Sequence, residues 1–114
     1  MARNRVSPRR GAADGAAVLG QQIKVARLAR KWTAAELAAR VGVGRRTVAA
    51  IEAGDPGVSI GNVFNAADIL GVPLFGAADR AELARLRREG RDRLALLPTR
   101  VDKPRKKVEP DDDF

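Results

Sequence analysis

Side chains able to do covalent or metal chemistry are scarce in this sequence. It contains no His, Cys or Tyr, and its serines are Ser7 and Ser59. That removes disulfides, thiolate nucleophiles and Cys-based zinc sites, together with the imidazole on which Ser-His and metal-hydrolase chemistry depend. We therefore expect no enzyme, no catalytic residue, no metal and no cofactor. The chemistry left is that of charge, and above all of arginine. Lys and Arg number 22 against 14 Asp and Glu, a net charge of +8, which attracts polyanions such as nucleic acid or an anionic membrane. The excess is spread as +3 over residues 1–15, +3 over 16–76 and +2 over 77–97. In residues 98–114 five basic residues are offset by five acidic ones, the latter gathered at the far end.

The elements that must carry these charges read as helices throughout. With 114 residues there is room for one small domain and tails. Residues 1–15 hold Arg3, Arg5, Arg9 and Arg10 among small residues, too polar a stretch for a packed core and expected to be a flexible basic arm. No apolar run is long enough for a signal peptide or a membrane span, so a cytoplasmic, nucleoid-associated protein with no membrane partner is expected. Asp14 is positioned as an N-cap of the first helix, with Leu19, Ile23, Ala26 and the stem of Arg30 on its inner face; the helix should stop near Arg30 or Lys31. Thr33-Ala34-Ala35-Glu36 is a capping box that opens a second helix. Leu37, Ala38 and Val41 form the buried edge of that helix, and Gly42 ends it in the left-handed conformation. Val48 and Ile51 continue the pattern in a third helix ending at Gly54. After Asp55-Pro56-Gly57, Ser59 caps a fourth helix that turns Ile60, Val63, Ala67 and Leu70 inward and ends at Gly71-Val72-Pro73. A fifth runs from about Asp79 to Leu97, with Leu83, Leu86, Leu94 and Leu97 on one stripe and Gly90 among them. Residues 98–114 carry almost no apolar pattern and are expected to be a disordered charged tail.

Two short helices joined by a tight glycine turn make a helix-turn-helix, in which the first helix braces the second against the major groove of DNA. The segment LGQQIKVARLARKWTAAELAARVGVGRRTVAAIEAGDPGVSIGNVFNAADILGVPL resembles the Cro/CI-type (XRE) helix-turn-helix regulators. Thr33, Glu36-Leu37-Ala38, Gly42-Val43, Thr47, Ile51-Glu52, Gly54 and Leu70-Gly71-Val72 all fall at family positions. The resemblance implies an all-α, five-helix fold with the DNA-binding domain at 16–76, an additional packing or dimerisation helix at 77–97, and a recognition helix from Gly44 to Ala53. Arg45, Arg46, Thr47 and Ala50 then face bases or nearby phosphates. An arginine fork holds guanine O6 and N7 with two hydrogen bonds, a pairing worth about 1–3 kcal/mol of discrimination, whereas Ala50 offers an apolar contact to a thymine methyl. An arginine pair at a helix start opposes the helix dipole, which favours function over a merely solvated pair.

Two departures from the family pattern bear on the backbone contacts. Ala34 stands where many members carry a phosphate-binding glutamine, and Gly44 where Ser or Thr often caps the recognition helix, which lets backbone approach DNA. Ser59 and Asn62 open the fourth helix, whose amides can hold a phosphate; Ser59 serves equally well as a plain N-cap. Arg27 and Glu52 match a family pair that ties the first helix to the end of the third, a structural role. Trp32 is assigned to the core or hinge between helices one and two. For Arg3, Arg5, Arg9 and Arg10 a minor-groove contact and a non-contacting arm both stand open.

The leucine stripe of the fifth helix has three open uses: core packing, which is taken first, a dimer contact, or reception of a partner. The ending LPTRVDKPRKKVEPDDDF, with the GDPGVS loop, resembles the short antitoxins of Hip-type toxin–antitoxin systems (HipB-like proteins). That resemblance implies a homodimer on a palindromic double-stranded operator, repression of its own operon, and a kinase-like toxin as partner. Asp111, Asp112, Asp113 and Phe114 could supply an acidic, singly anchored segment for such a partner; a solubilising tail and a brake folded onto the basic DNA face are the other uses. A general regulator without a toxin, and an adaptor working through its tail, are the competing functions.

Overall fold

The computed structural model describes residues 6–104; Arg3 and Arg5, and Asp111, Asp112, Asp113 and Phe114, lie outside the described residues. Five helices follow in order: α1 Arg10–Ala29, α2 Ala34–Val41, α3 Arg45–Glu52, α4 Ile60–Leu70 and α5 Arg80–Ala95. Among the described residues there is no strand, and no helix is long and apolar enough to cross a membrane.

Ile23, Leu37 and Val48 are wholly enclosed, one each from α1, α2 and α3, and Ala66, Ala67 and Leu70 close the core from α4. This is the periodic apolar face the sequence carries at helical spacing, now turned inward on four helices at once. α1 packs on α3 and α4, and α2 packs on the same two helices. Leu19, Ala26, Trp32, Val41 and Val63 are half-buried around that centre.

Three expectations are corrected. α1 begins at Arg10, with Arg9 as a cap that makes no side-chain hydrogen bond, rather than after Asp14. Asp14 is exposed on the helix surface, and the flanking Ala12, Ala13, Ala16 and Ala17 are strong helix formers that carry the helix through it. Arg10 is therefore part of α1, and among the described residues only 6–9 stand outside the helix before it. Ile60 does not turn inward: it is 68% exposed. As the first residue after the Ser59 cap it lies one turn short of the core, and Ala66 takes the inner place instead. α5 contributes no buried residue, so the leucine stripe is not core. Leu83 and Leu86 are half-buried, whereas Leu94 and Leu97 lie open to solvent. Gly90 neither breaks α5 nor sits at a crossing, since a Cβ there would meet nothing within 4 Å.

The cap of α5 is Asp79, whose side chain accepts from the Glu82 amide at 2.9 Å. Along its exposed face Arg85 pairs with both Glu82 and Glu89. Arg85 hydrogen-bonds Glu82 and holds its carboxyl below the ordinary glutamate value.

Candidate nucleic-acid interface

The turn between α2 and α3 is built as the sequence prescribes. Thr33 Oγ1 accepts from the Glu36 amide at 3.0 Å, and Glu36 Oε1 accepts from the Thr33 amide at 2.7 Å, so two amides left unpaired at the helix start are satisfied together. At the other end Gly42 has φ of 87°, and the amides of Gly42 and Val43 both donate to the Ala38 carbonyl, at 2.8 and 3.0 Å. Only a residue without a Cβ takes that conformation at little cost. Ala38, 3% exposed, sits where the helices cross, and Val48 fills the space below.

α3 follows immediately from Gly44, an N-cap with extended backbone and no side-chain cap. Arg45 and Arg46 open the helix and are exposed, while Thr47 and Ala50 are half-buried. The first turn holds no acidic residue, so two guanidinium groups stand at the positive end of the helix without local neutralisation. That arrangement suits an external anion better than it suits the helix itself.

Arg46, Thr47 and Ala50 do not stand alone. With Ser59 and Asn62 at the start of α4, and Gly57 and Val58 of the intervening loop, they line a concavity of about 220 Å³. Ser59 Oγ accepts from the Asn62 amide at 3.2 Å, and Asp55 Oδ1 accepts from the Gly57 amide at 2.8 Å, which fixes the loop. The fold thus gathers five of the sequence-predicted residues into one depression. Gly44 and Arg45 lie outside its lining, at the very start of α3. Arg9 and Arg10 are exposed at the start of α1. By sequence alone Gly57 is a chain breaker and Val58 a loop residue; both line the concavity, and the Pro56-Gly57 turn after α3 is the signal that points there.

What holds α3 at its angle lies behind it. Arg27 Nε and Nη2 donate to the Glu52 carboxylate at 2.7 and 3.0 Å, and Nη1 donates to the Trp32 carbonyl at 2.8 Å. The side chains of the pair are 10% and 8% exposed. The hydrogen bond that Arg27 donates to Glu52 raises the Arg27 pKa above its ordinary value against the opposing effect of burial, so the guanidinium stays charged. Trp32, between α1 and α2, packs half-buried against the core, its ring stacked by Arg40 at 4.0 Å and by Arg30 at 5.1 Å. Arg30 also donates to the Leu70 carbonyl at 3.2 Å, joining α1 to the end of α4.

A further contact, not anticipated from the sequence, fixes α1 against the end of α3. A Cβ on Gly20 would lie 2.4 Å from the Ile51 carbonyl oxygen and 2.8 Å from that of Glu52. Gly20 therefore admits the α3 backbone directly onto α1, beside Ala17, whose Cα would lie 2.7 Å from a Cβ on Gly54. The sequence signal for it is a pair of small residues, Ala16 and Gly20, four apart and hence on one helix face.

Residues 23–76 match the family described as helix-turn-helix. No curated protein and no solved structure matches the chain. The matched segment runs from Ile23, at the centre of the core, to the loop before α5, and so contains the capped α2, the glycine turn, α3 and α4. This segment, just under half of the chain, is similar to the Cro/CI-type (XRE) helix-turn-helix of DNA-binding transcriptional regulators.

Proposed function

We propose that the protein is a sequence-specific repressor that reads double-stranded operator DNA with α3. The observation that carries this reading is the outer surface of α3, where exposed Arg45 and Arg46 stand beside half-buried Thr47 and Ala50, and where Arg46, Thr47 and Ala50 line the depression shared with α4. Arg45 and Arg46 take guanine edges in the major groove, Ala50 takes a thymine methyl and Thr47 a base or neighbouring phosphate. Gly44, Ser59 and Asn62 hold the phosphate backbone, Ser59 and Asn62 through the amide end of α4. Arg9 and Arg10 at the start of α1 add contacts outside the major groove.

A homodimer on a palindromic operator follows from the geometry of such readers, in which two recognition helices occupy successive major-groove turns about 34 Å apart. Selection of binding sites from random DNA tests the reading. It should enrich a two-fold repeat whose halves are centred one helical turn apart; recovery without any enriched sequence would overturn it.

The finer reading is an antitoxin that represses its own operon and holds a kinase-like toxin through Asp111, Asp112, Asp113 and Phe114. It is supported by the GDPGVS loop and the acidic ending of the chain. Co-purification of a kinase-like protein encoded beside this gene, lost when the three aspartates become asparagine, supports it; an adjacent gene of another kind leaves a general regulator.

A further inference from the structure

An apolar groove of about 580 Å³ lies away from α3, between α4, the loop before α5 and the first half of α5. Phe64, Leu74, Phe75, Leu83 and Leu86 line it, with Arg80 and Arg87 on its rim. Phe75 packs edge-to-face on Phe64 with ring centroids 6.0 Å apart. It is nonetheless 73% exposed, and its backbone has φ of +56°. A bulky residue in that region is strained, and here the strain presents an aromatic ring to solvent at the mouth of the groove.

Charge selects the occupant. α5 carries six arginines against three acidic residues. Arg80 is paired with Asp68 at 2.9 Å, but Arg87 makes no ion pair among the described residues. Pairing α5 with its own copy would set these like charges against each other, whereas an acidic segment with an aromatic anchor would answer both the rim and the floor. One stretch of this chain has that composition: Val108-Glu109-Pro110-Asp111-Asp112-Asp113-Phe114, with four side-chain carboxylates, no basic residue and the only phenylalanine outside the groove. The chain from Ala95 to Asp111 can span up to about 50 Å, against about 14 Å along α5 from Ala95 back to Leu86. Tethering also raises the effective concentration of the segment to roughly millimolar, so even a weak contact is filled within one molecule.

We propose that Val108–Phe114 docks in this groove of its own molecule, with Phe114 against Phe75, Leu83 and Leu86 and the aspartates facing Arg87. Arg105, Lys106 and Lys107 share the sign of α5, which confines the contact to the segment after them. The groove is thereby shielded from other chains in the free protein, independently of how α3 reads DNA.

Methyl-resolved NMR on the full chain at low salt tests this. Nuclear Overhauser effects should join the Phe114 ring to the Leu83 and Leu86 methyls and persist on dilution. Phe114→Ala should abolish them, and it should shift those methyl resonances in the same direction as joint Asp111→Asn, Asp112→Asn and Asp113→Asn. Added salt should reproduce that shift in part. Methyl resonances unmoved by Phe114→Ala would overturn the proposal. So would contacts seen only between differently labelled molecules, or contacts joining Leu86 to Leu94 of another copy, which would give the groove to a dimer.

Discussion

The position of α3 depends on a few side chains whose contributions can be separated. Arg27 and Glu52 are nearly enclosed and doubly hydrogen-bonded, so Glu52→Ala leaves a buried guanidinium without its counter-charge. We expect a loss of about 3 kcal/mol in stability, measured by urea unfolding, with DNA affinity falling as folded protein is depleted; a change below about 0.5 kcal/mol, the usual size for a surface site, would show the pair to be merely solvated. Gly20→Val should cost roughly 1–3 kcal/mol by overpacking, because the added carbon meets the Ile51 carbonyl, a backbone group that cannot swing aside. These two sites differ in legibility. Arg27 and Glu52 can be paired from their family positions, whereas Gly20 shows its role only once α3 lies across it.

At the scale of the element, the parts fixed by local chemistry are readable in the sequence and the parts fixed by tertiary packing are not. The Thr33–Glu36 box, the Gly42 turn and the Ser59 cap occur as expected because each is satisfied within a few residues. The start of α1 differs from expectation because Asp14 has the chemistry of a cap while its alanine-rich surroundings continue the helix. The inward turn of Ile60 and the packing of α5 fail for another reason: periodicity says which residues share a face, not whether anything covers it. Leu94→Asp on α5 should therefore change stability by no more than about 0.5 kcal/mol. Leu37→Ala, from a wholly enclosed position, should cost about 2–5 kcal/mol. Thermal melts of the two variants side by side check this contrast, and equal losses would place α5 in the core. α5 should also respond to acid. Arg85 holds Glu82 below its ordinary value of 4.5, so that pairing stabilises the helix fully above this value and is lost as pH falls through the lowered one. Helical circular dichroism of Glu82→Gln should accordingly lack the acid-dependent step that the parent shows in that range.

For the whole molecule, the net charge of +8 and the arrangement of α3 beside α4 act at different ranges. In the function we propose, the general charge draws the protein to any DNA and the helix surface distinguishes one sequence from another. We assign Arg9 and Arg10 to the first effect as a proposal: replacing both with alanine should weaken binding to operator and scrambled DNA alike. The slope of log affinity against log salt should become shallower by about 0.9 for each phosphate that these arginines neutralise, while an unchanged slope would remove both residues from the backbone. The helix-turn-helix itself is legible from Thr33 to Ala53, but its union with Gly57, Val58, Ser59 and Asn62 into one depression is a product of folding. The central claim is that Arg45 and Arg46 read bases, and the most direct measurement is the ratio of affinities for the selected operator and a scrambled duplex, by fluorescence anisotropy at fixed salt, in the parent and in the joint Arg45→Ala, Arg46→Ala variant. This ratio should collapse by roughly 5- to 150-fold for each arginine that grips a guanine, with an unaltered thermal melt. A ratio that stays at the parental value while both affinities fall together would contradict it, leaving the two arginines as phosphate contacts alone.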